Sequence, residues 1–339
     1  MPRHRSTAEP ALPTATIHDV AALAEVSLMT VSRALKQPHQ VSAATLEKVL
    51  AAVKKTGYVP NALAGGLRSA RTRLIAALVP TLKSHVYDPT IQALHETLSM
   101  HGYQLLLGQT DHSPSKEEDL LRAIIGRRPD GIVVTGILHS RASRALLLRC
   151  GIPIVETNDW TPTPIDMLVG FSHERMGHDA CRFLAAKGRT KLALITGDDP
   201  RARRRAEGFL AAAADLRLAA PRMETLPAPT DHAGGRSAMA RLLGGPGFDA
   251  VYCGSDMIAL GVLTETRVRG IGVPDAVAVL GSGDLDFSAT VVPALTTVKV
   301  DLDRIGRLAG QFVIARSEGR PVEDGLVDVG YTIVERDSA

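Results

Sequence analysis

The 339 residues are 45% hydrophobic and 22% charged, a globular balance that excludes a disordered chain, and the length suits two or three domains. The net charge of +3 conceals an asymmetry, because residues 1–73 hold ten Lys/Arg against four Asp/Glu (+6) and the remaining 266 carry −3. A basic head on a mildly acidic body points to a polyanion-binding module joined to a body with another task, with DNA, RNA and a membrane surface still open. Cys150, Cys181 and Cys253 lie far apart and form no Cys-x-x-Cys pair, which argues against a disulfide framework or structural zinc. The opening Met1-Pro2-Arg3-His4-Arg5 has no apolar stretch of signal-peptide type, and no run approaches the ~20 apolar residues of a membrane span. The expectation is a soluble, cytoplasmic protein without a membrane partner.

In chain order, residues 1–15, rich in Pro, Ala and Thr, read as a tail. Thr16 is placed to cap a first helix with Val20, Ala21, Leu23 and Ala24 as its apolar stripe. Glu25-Val26-Ser27 makes a tight turn, and Ser27 caps a second helix from Leu28 to about Leu35, with Val31, Ala34 and Leu35 inward. Gln37-Pro38-His39 ends it, and a third helix runs from Ser42 to about Thr56 with Leu46, Val49, Leu50 and Val53 on one face. Two short helices joined by a three-residue turn and braced by a third form a helix-turn-helix. The outer face of the second helix suits a major groove: Arg33 for a guanine edge, Thr30 and Ser32 for phosphates, Leu28 and Met29 for thymine methyls. A plain three-helix bundle with a polar surface is the alternative.

Ile17-His18-Asp19-Val20-Ala21, Val26-Ser27, Thr30-Val31-Ser32-Arg33-Ala34-Leu35, Val41-Ser42 and Gly57-Tyr58-Val59-Pro60-Asn61 together resemble the lactose-repressor (LacI/GalR) family. The resemblance adds the caps Thr16 and Ser27 to the DNA-binding set. It also implies that Asn61-Ala62-Leu63-Ala64-Gly65-Gly66-Leu67-Arg68-Ser69 is a hinge helix that folds on the operator, contributing Asn61, Ala64, Leu67 and Arg68. By position Leu67 is the wedge that enters the minor groove. Gly65 and Gly66 depart from the family pattern, and each costs about 1 kcal/mol of helix propensity, which predicts a hinge that is loose without DNA.

From Leu74 onward short apolar runs alternate with amphipathic stretches. Leu74–Val79, Gln104–Leu107, Gly131–Val134, Ile152–Val155, Leu192–Thr196, Ala250–Cys253, Val277–Leu280 and Tyr331–Val334 read as strands, with helices such as Pro89–Met100, Glu117–Ile125, Gly177–Ala186 and Ser255–Thr266. The fold class expected is α/β: a helix-turn-helix domain (16–60), a hinge (61–73) and a body (74–339). The resemblance implies a periplasmic-binding-protein-like body of two doubly wound parallel-sheet lobes, about 74–171 with 299–326 and 172–297 with 327–339. The chain would cross between lobes near Gly170–His173, Thr297–Asp301 and Gly325–Gly330, with a ligand cleft at the carboxyl ends of the strands. Tyr252–Gly261 and Pro293–Val298 are further stretches similar to the family, and Gly208-Phe209 place Arg205 where its repressors keep a basic ligand-binding residue.

Arg201, Arg203, Arg204 and Arg205 cluster at a helix start, where the dipole disfavours cations, so holding an anion is a reason for one of them to be there. Arg205 is the choice, the others reading as solvated surface arginines. Gly283 stands where sugar-binding relatives commonly have an aspartate, and its presence removes repulsion toward an acidic ligand. With Val169-Gly170-Phe171 and Met29–Arg33 this looks like the gluconate-repressor branch, so gluconate or a ketogluconate is the leading effector, with a neutral sugar or purine-like ligand as alternatives. Thr81, Lys83, Ser84, Ser255 and Asp256 complete the candidate cleft; ordinary caps and loop polar groups are the other account of them.

Enzymatic readings fare poorly. His173 and His178 are five apart and diverge by ~140° on a helix, which makes a shared metal improbable and leaves them as surface histidines. No Gly-x-Ser-x-Gly elbow, phosphate loop or dinucleotide fingerprint occurs, and no cofactor or metal is expected. The whole reads as a repressor released from a palindromic operator by its ligand, with a ligand that acts as corepressor left open and a solute-binding protein as a weaker alternative. A homodimer is expected, because little chain follows Val334 to form a tetramerising heptad helix.

Overall fold

The computed structural model describes residues 15–59, 71–83 and 86–339, and the chain divides after Thr72 into two compact units. In the first unit α1 (Ile17–Ala24), α2 (Leu28–Lys36) and α3 (Ala43–Thr56) follow the expected bounds closely. Each is started by a hydroxyl cap. Thr16 and Asp19 form a reciprocal capping box, Ser27 accepts from the Thr30 N–H, and Ser42 accepts from the Thr45 N–H. Val20, Ala21, Ala24, Val31, Ala34, Val49 and Ala52 make the core. Leu23 and Leu50, expected inside, are exposed: three short helices converge on a small centre, and only the narrow middle of each apolar stripe reaches it. The proposed hinge, with Asn61, Ala64, Leu67 and Arg68, lies outside the described residues.

The second unit contains two six-stranded sheets. The first lobe is built from β1 (Leu74–Val79), α4 (Asp88–Met100), β2 (Gln104–Gln109), α5 (Pro114–Gly126), β3 (Gly131–Thr135), α6 (Arg141–Arg149), β4 (Ile154–Thr157) and β5 (Met167–Gly170). The chain then enters the second lobe through α7 (His173–Ala186), β6 (Leu192–Gly197), α8 (Pro200–Asp215), β7 (Arg222–Leu226), α9 (His232–Leu243), β8 (Ala250–Cys253), α10 (Asp256–Val268), β9 (Ala278–Ser282) and β10 (Thr296–Lys299). It returns with α11 (Leu302–Ser317) and β11 (Leu326–Asp328), then ends in the second sheet with β12 (Thr332–Val334). The sheet orders are β11-β5-β4-β3-β1-β2 and β12-β10-β9-β8-β6-β7. All neighbours are parallel except β10 and β12. In both sheets the order reverses beside the first strand, β1 or β6, which opens a crevice at the carboxyl ends of the strands.

Several boundaries differ from the sequence reading. Val327 and Asp328 belong to the first sheet, paired with Val169 and Gly170, so the last crossing falls after Asp328. Thr296–Lys299 is a strand as well as the approach to a crossing. β5, β7 and β11 are not among the expected strands: β11 is only three residues long, and β7 is an edge strand whose Arg222-Met223-Glu224-Thr225 carries too little apolar signal. The two helices that carry much of the site, α7 and α8, meet at glycines. A Cβ on Gly177 would lie 1.8 Å from the Arg205 carbonyl oxygen, and one on Gly208 would lie 2.0 Å from that of Glu174. Backbone contact at these two points fixes where the first turns of α8 stand.

Candidate DNA-reading face and effector cavity

The first unit presents the N-terminal half of α2 to solvent. Met29 is 66% exposed and Leu28 and Arg33 are also exposed, with Thr30 and Ser32 half-buried beside them. The Ser27 hydroxyl lies 2.8 Å from the Thr30 hydroxyl, which orients both at the helix start. No acidic residue occupies the first turn of α2, and Arg33 and Lys36 stand in its last turn. An uncompensated helix N-terminus is suited to a phosphate, and Arg33 to a base edge. The exposed start of α1 differs, because the Thr16 hydroxyl donates to Asp19 at 2.8 Å and that first-turn carboxylate already answers the helix end.

In the second unit the two sheets' carboxyl ends face a cavity of about 220 Å³. That is below the ~300–1,000 Å³ of sites for drug-sized ligands and fits a small metabolite. The first lobe contributes the loop after β1 (Thr81, Lys83, Tyr87) and Asn158, the crossing after β5 contributes Phe171 and His173, and the second lobe contributes Arg201 and Arg205 from α8, then Ser255, Ser282 and Gly283. Arg201 is only 9% exposed and reaches across to the first lobe, where its guanidinium donates to the Tyr87 hydroxyl and lies over the Tyr87 ring at 5.2 Å. Its Nη1 is buried with no hydrogen-bond partner, as is Nε of Arg205. Arg205 Nη1 has only the Met176 sulfur at 3.7 Å.

The acids of the cavity do not answer these cations fully. Asp199 caps α8 through the Arg201 and Ala202 N–H groups and stands 3.8 Å from Arg201 Nε. Burial pushes its carboxyl up, but Arg201 and Arg205 outweigh that and hold it below the usual range. Asp231 caps α9 through the Gly234 N–H. His173 is buried, and burial together with Arg205 and Arg201 keeps its pKa well below the ordinary value, so the ring is neutral. Its Nε2–H donates to the Asn158 carbonyl at 3.1 Å, which leaves Nδ1 a bare, buried acceptor without a donor. The cavity thus offers unfilled donors on two arginines and an unfilled acceptor on one histidine.

Of the residues singled out in the sequence, Thr81, Lys83, Arg205, Ser255 and Gly283 line this cavity. Ser84 lies outside the described residues. Asp256 does not line it: its carboxylate accepts from the Leu285 N–H (2.9 Å) and the hydroxyls of Ser288 (2.8 Å) and Thr297 (2.6 Å), fastening the loop that carries Gly283. Arg201, taken from the sequence as a surface arginine, is a wall of the cavity; Arg203 is exposed, and Arg204 ion-pairs with Asp159 at 2.5 Å. His173, also taken as a surface residue, is buried in the site because it directly follows β5 and starts α7. The signal available was its place two residues beyond Phe171 at a strand's carboxyl end. Among the described residues no group of His, Cys, Asp and Glu is placed to hold a metal ion, and no helix is long and apolar enough to cross a membrane.

Residues 16–61 match the model for bacterial regulatory proteins of the lacI family, and residues 181–339 match a periplasmic binding protein-like domain. The chain is 35% identical over 326 residues to the HTH-type transcriptional regulator GntR of Pseudomonas aeruginosa, covering 95% of each chain. Among solved structures it is similar to a LacI family transcriptional regulator from Silicibacter pomeroyi, at 32% identity and a TM-score of 0.90 over 96% of this chain and 99% of that one. It is also similar to the lac repressor dimer bound to operator and an anti-inducer, at 26% identity and a TM-score of 0.82 over 96% and 99% of the two chains. A helix-turn-helix head, a two-lobed body with a small-molecule cavity and these relatives agree: the chain belongs to the LacI family of DNA-binding transcriptional repressors.

Proposed function

We propose that this repressor responds to a sugar acid of the gluconate or ketogluconate type, which releases it, as a homodimer, from a palindromic operator. The observation that carries the effector class is the pair of buried, unpartnered guanidinium nitrogens, Arg201 Nη1 and Arg205 Nε, in a cavity whose acids are engaged at helix starts. A carboxylate supplies acceptors to both arginines, and a hydroxyl of the same ligand supplies the donor that His173 Nδ1 lacks. A neutral sugar would meet the histidine but bring no charge to the two arginines, which have only Asp199 between them. Gly283 adds to this, since an aspartate there would place a carboxylate near that of Asp256, whose Oδ2 is 3.6 Å from the position of a Cβ. The likeness to a regulator named GntR supports the same branch. The dimer and operator follow the lac repressor relative, and a twofold protein on a twofold site is the general solution for a helix-turn-helix. Release requires that the ligand prefer the state that binds DNA less well.

Titration calorimetry with gluconate, 2-ketogluconate and glucose tests the effector class. One of the acids should bind at least about tenfold tighter than glucose, and Arg205→Met should weaken it by about 10–100-fold while leaving glucose little changed. Glucose binding as tightly as the acids would overturn the reading.

A further inference from the structure

The chain crosses between the lobes after β5, after β10 and after β11, and a joint of short connections lets a cleft open and shut. α8 belongs to the second lobe, yet its first turns send two arginines into the first. Arg201 meets Tyr87, and Arg204 meets the loop between β4 and β5. Neither Arg204 nor its partner Asp159 lines the effector cavity. Arg204 Nη1 lies 2.5 Å from Asp159 Oδ1, and Nη2 donates to the Trp160 carbonyl at 3.3 Å, so the planar guanidinium grips the loop at two points.

The Asp159 carboxylate depends on this partner. Its side chain is 1% exposed, Oδ1 also accepts the Trp160 N–H at 2.8 Å, and Oδ2 is buried without a partner. Burial pushes the carboxyl up, and Arg204 is the strongest of the groups that pull it back. A charge so placed favours the arrangement in which the guanidinium stays beside it. The loop is also seated firmly on the first sheet. The Asn158 N–H donates to the Val169 carbonyl at 3.3 Å, and a Cβ on Gly170 would lie 1.9 Å from the Asp159 carbonyl oxygen. Asn158 lines the cavity, and its carbonyl holds the His173 ring. Arg204 therefore ties the first sheet, and with it one wall of the cavity, to the helix that bears Arg201 and Arg205.

We propose that Arg204 is a positioning residue for the effector site: its pair with Asp159 latches the lobes in the arrangement that brings Asn158 and Tyr87 up to Arg201 and Arg205. An effector that touches both lobes prefers the latched state, so its apparent affinity falls with the latched fraction when the pair is removed. Trp160, half-buried beside the latch, is the one tryptophan of the sequence, so tryptophan fluorescence reads this loop alone.

The test compares the full chain with Arg204→Met, which keeps a long stem without charge, and Arg204→Lys, which keeps the charge without the fork. Without ligand, Trp160 emission in Arg204→Met should shift to the red and be quenched more readily by acrylamide, with Arg204→Lys between it and the wild type. Amide exchange in the first turn of α4, which the second lobe reaches through Arg201 and Tyr87, should speed up at least about fivefold in Arg204→Met as the lobes part. Gluconate or 2-ketogluconate, whichever the wild type binds, should bind Arg204→Met about tenfold more weakly. Saturating acid should then return its Trp160 emission to the wild-type position, which it would not do for local damage. Unchanged emission in ligand-free Arg204→Met, a shift without faster exchange in α4, or acid affinity equal to that of the wild type would overturn the latch. The titrations with acid rest on the sugar-acid reading of the cavity. If neither acid binds the wild type, that reading fails, and emission and exchange without ligand still decide the latch.

Discussion

Arg201 and Arg205 stand four positions apart on α8, one turn of helix, and so share a face that Arg203 does not. Sequence alone marks four arginines at a helix start without saying which of them meet solvent. That depends on what packs against the helix, here Tyr87 and Asp159 of the other lobe, far away in the chain. Arg201, which reads in the sequence as a surface residue, lines the cavity, and so does Arg205, which the nearby Gly208-Phe209 marked. Asp256 shows the opposite error: an acid next to a cleft loop looks like a ligand-binding group, yet its oxygens are consumed by Leu285, Ser288 and Thr297. Gly283 offers a direct test at this scale. Its φ of +139° strains any side chain, so Gly283→Asn and Gly283→Asp share that strain and differ mainly in charge. Sugar-acid affinity measured by calorimetry should be about tenfold or more lower in the aspartate variant than in the asparagine variant. Equal affinities would mean that the ligand's charge does not lie near this loop.

At the level of elements, the first lobe is tied together by a buried charge cluster. His139, in the turn before α6, has Nδ1 3.0 Å from Glu117 on α5 and Nε2 3.5 Å from Glu156 on β4. Glu156 in turn accepts the Ile165 N–H at 2.6 Å ahead of β5. Burial lowers the pKa of His139, but the hydrogen bond to Glu117 and the nearby Glu156 outweigh it and raise the value to about 9. Because the folded value lies above the ordinary 6.5, the proton-linked stability is fully present below about pH 6.5 and is lost as pH rises through about 9. Thermal melts of the wild type should fall between pH 7 and about 9.5 by an amount worth up to about 3 kcal/mol, and His139→Gln, destabilised at pH 7, should show a much flatter dependence. Parallel slopes in the two proteins would remove His139 from the account. Such clusters are not legible in a sequence, since Glu117, His139 and Glu156 carry no local pattern. The elements themselves were, wherever apolar periodicity was strong, as in β1, β8 and the three helices of the head. β7 and β11 were missed because a half-exposed edge strand and a three-residue strand give periodicity too little to work with.

For the molecule as a whole, the division of labour was visible in charge before any element was assigned: +6 on residues 1–73 and −3 on the rest. The head matches the family model over residues 16–61, and Leu28, Met29 and Arg33 are exposed on α2, the face expected to read DNA. The cavity in the body, by contrast, draws on loops from two sheets, and its Tyr87 and Asn158 could be found only once the strands' carboxyl ends were brought together. The central claim joins these parts: a palindromic operator is bound by the head and given up when the cavity takes a sugar acid. Fluorescence anisotropy tests it most directly, using labelled DNA from upstream of the protein's own gene at physiological salt, with gluconate or 2-ketogluconate added and glucose as the control. The account predicts tight binding that depends on an intact palindrome and collapses with one of the acids but not with glucose. Binding to the palindrome that neither acid disturbs, or that glucose releases equally, would contradict it.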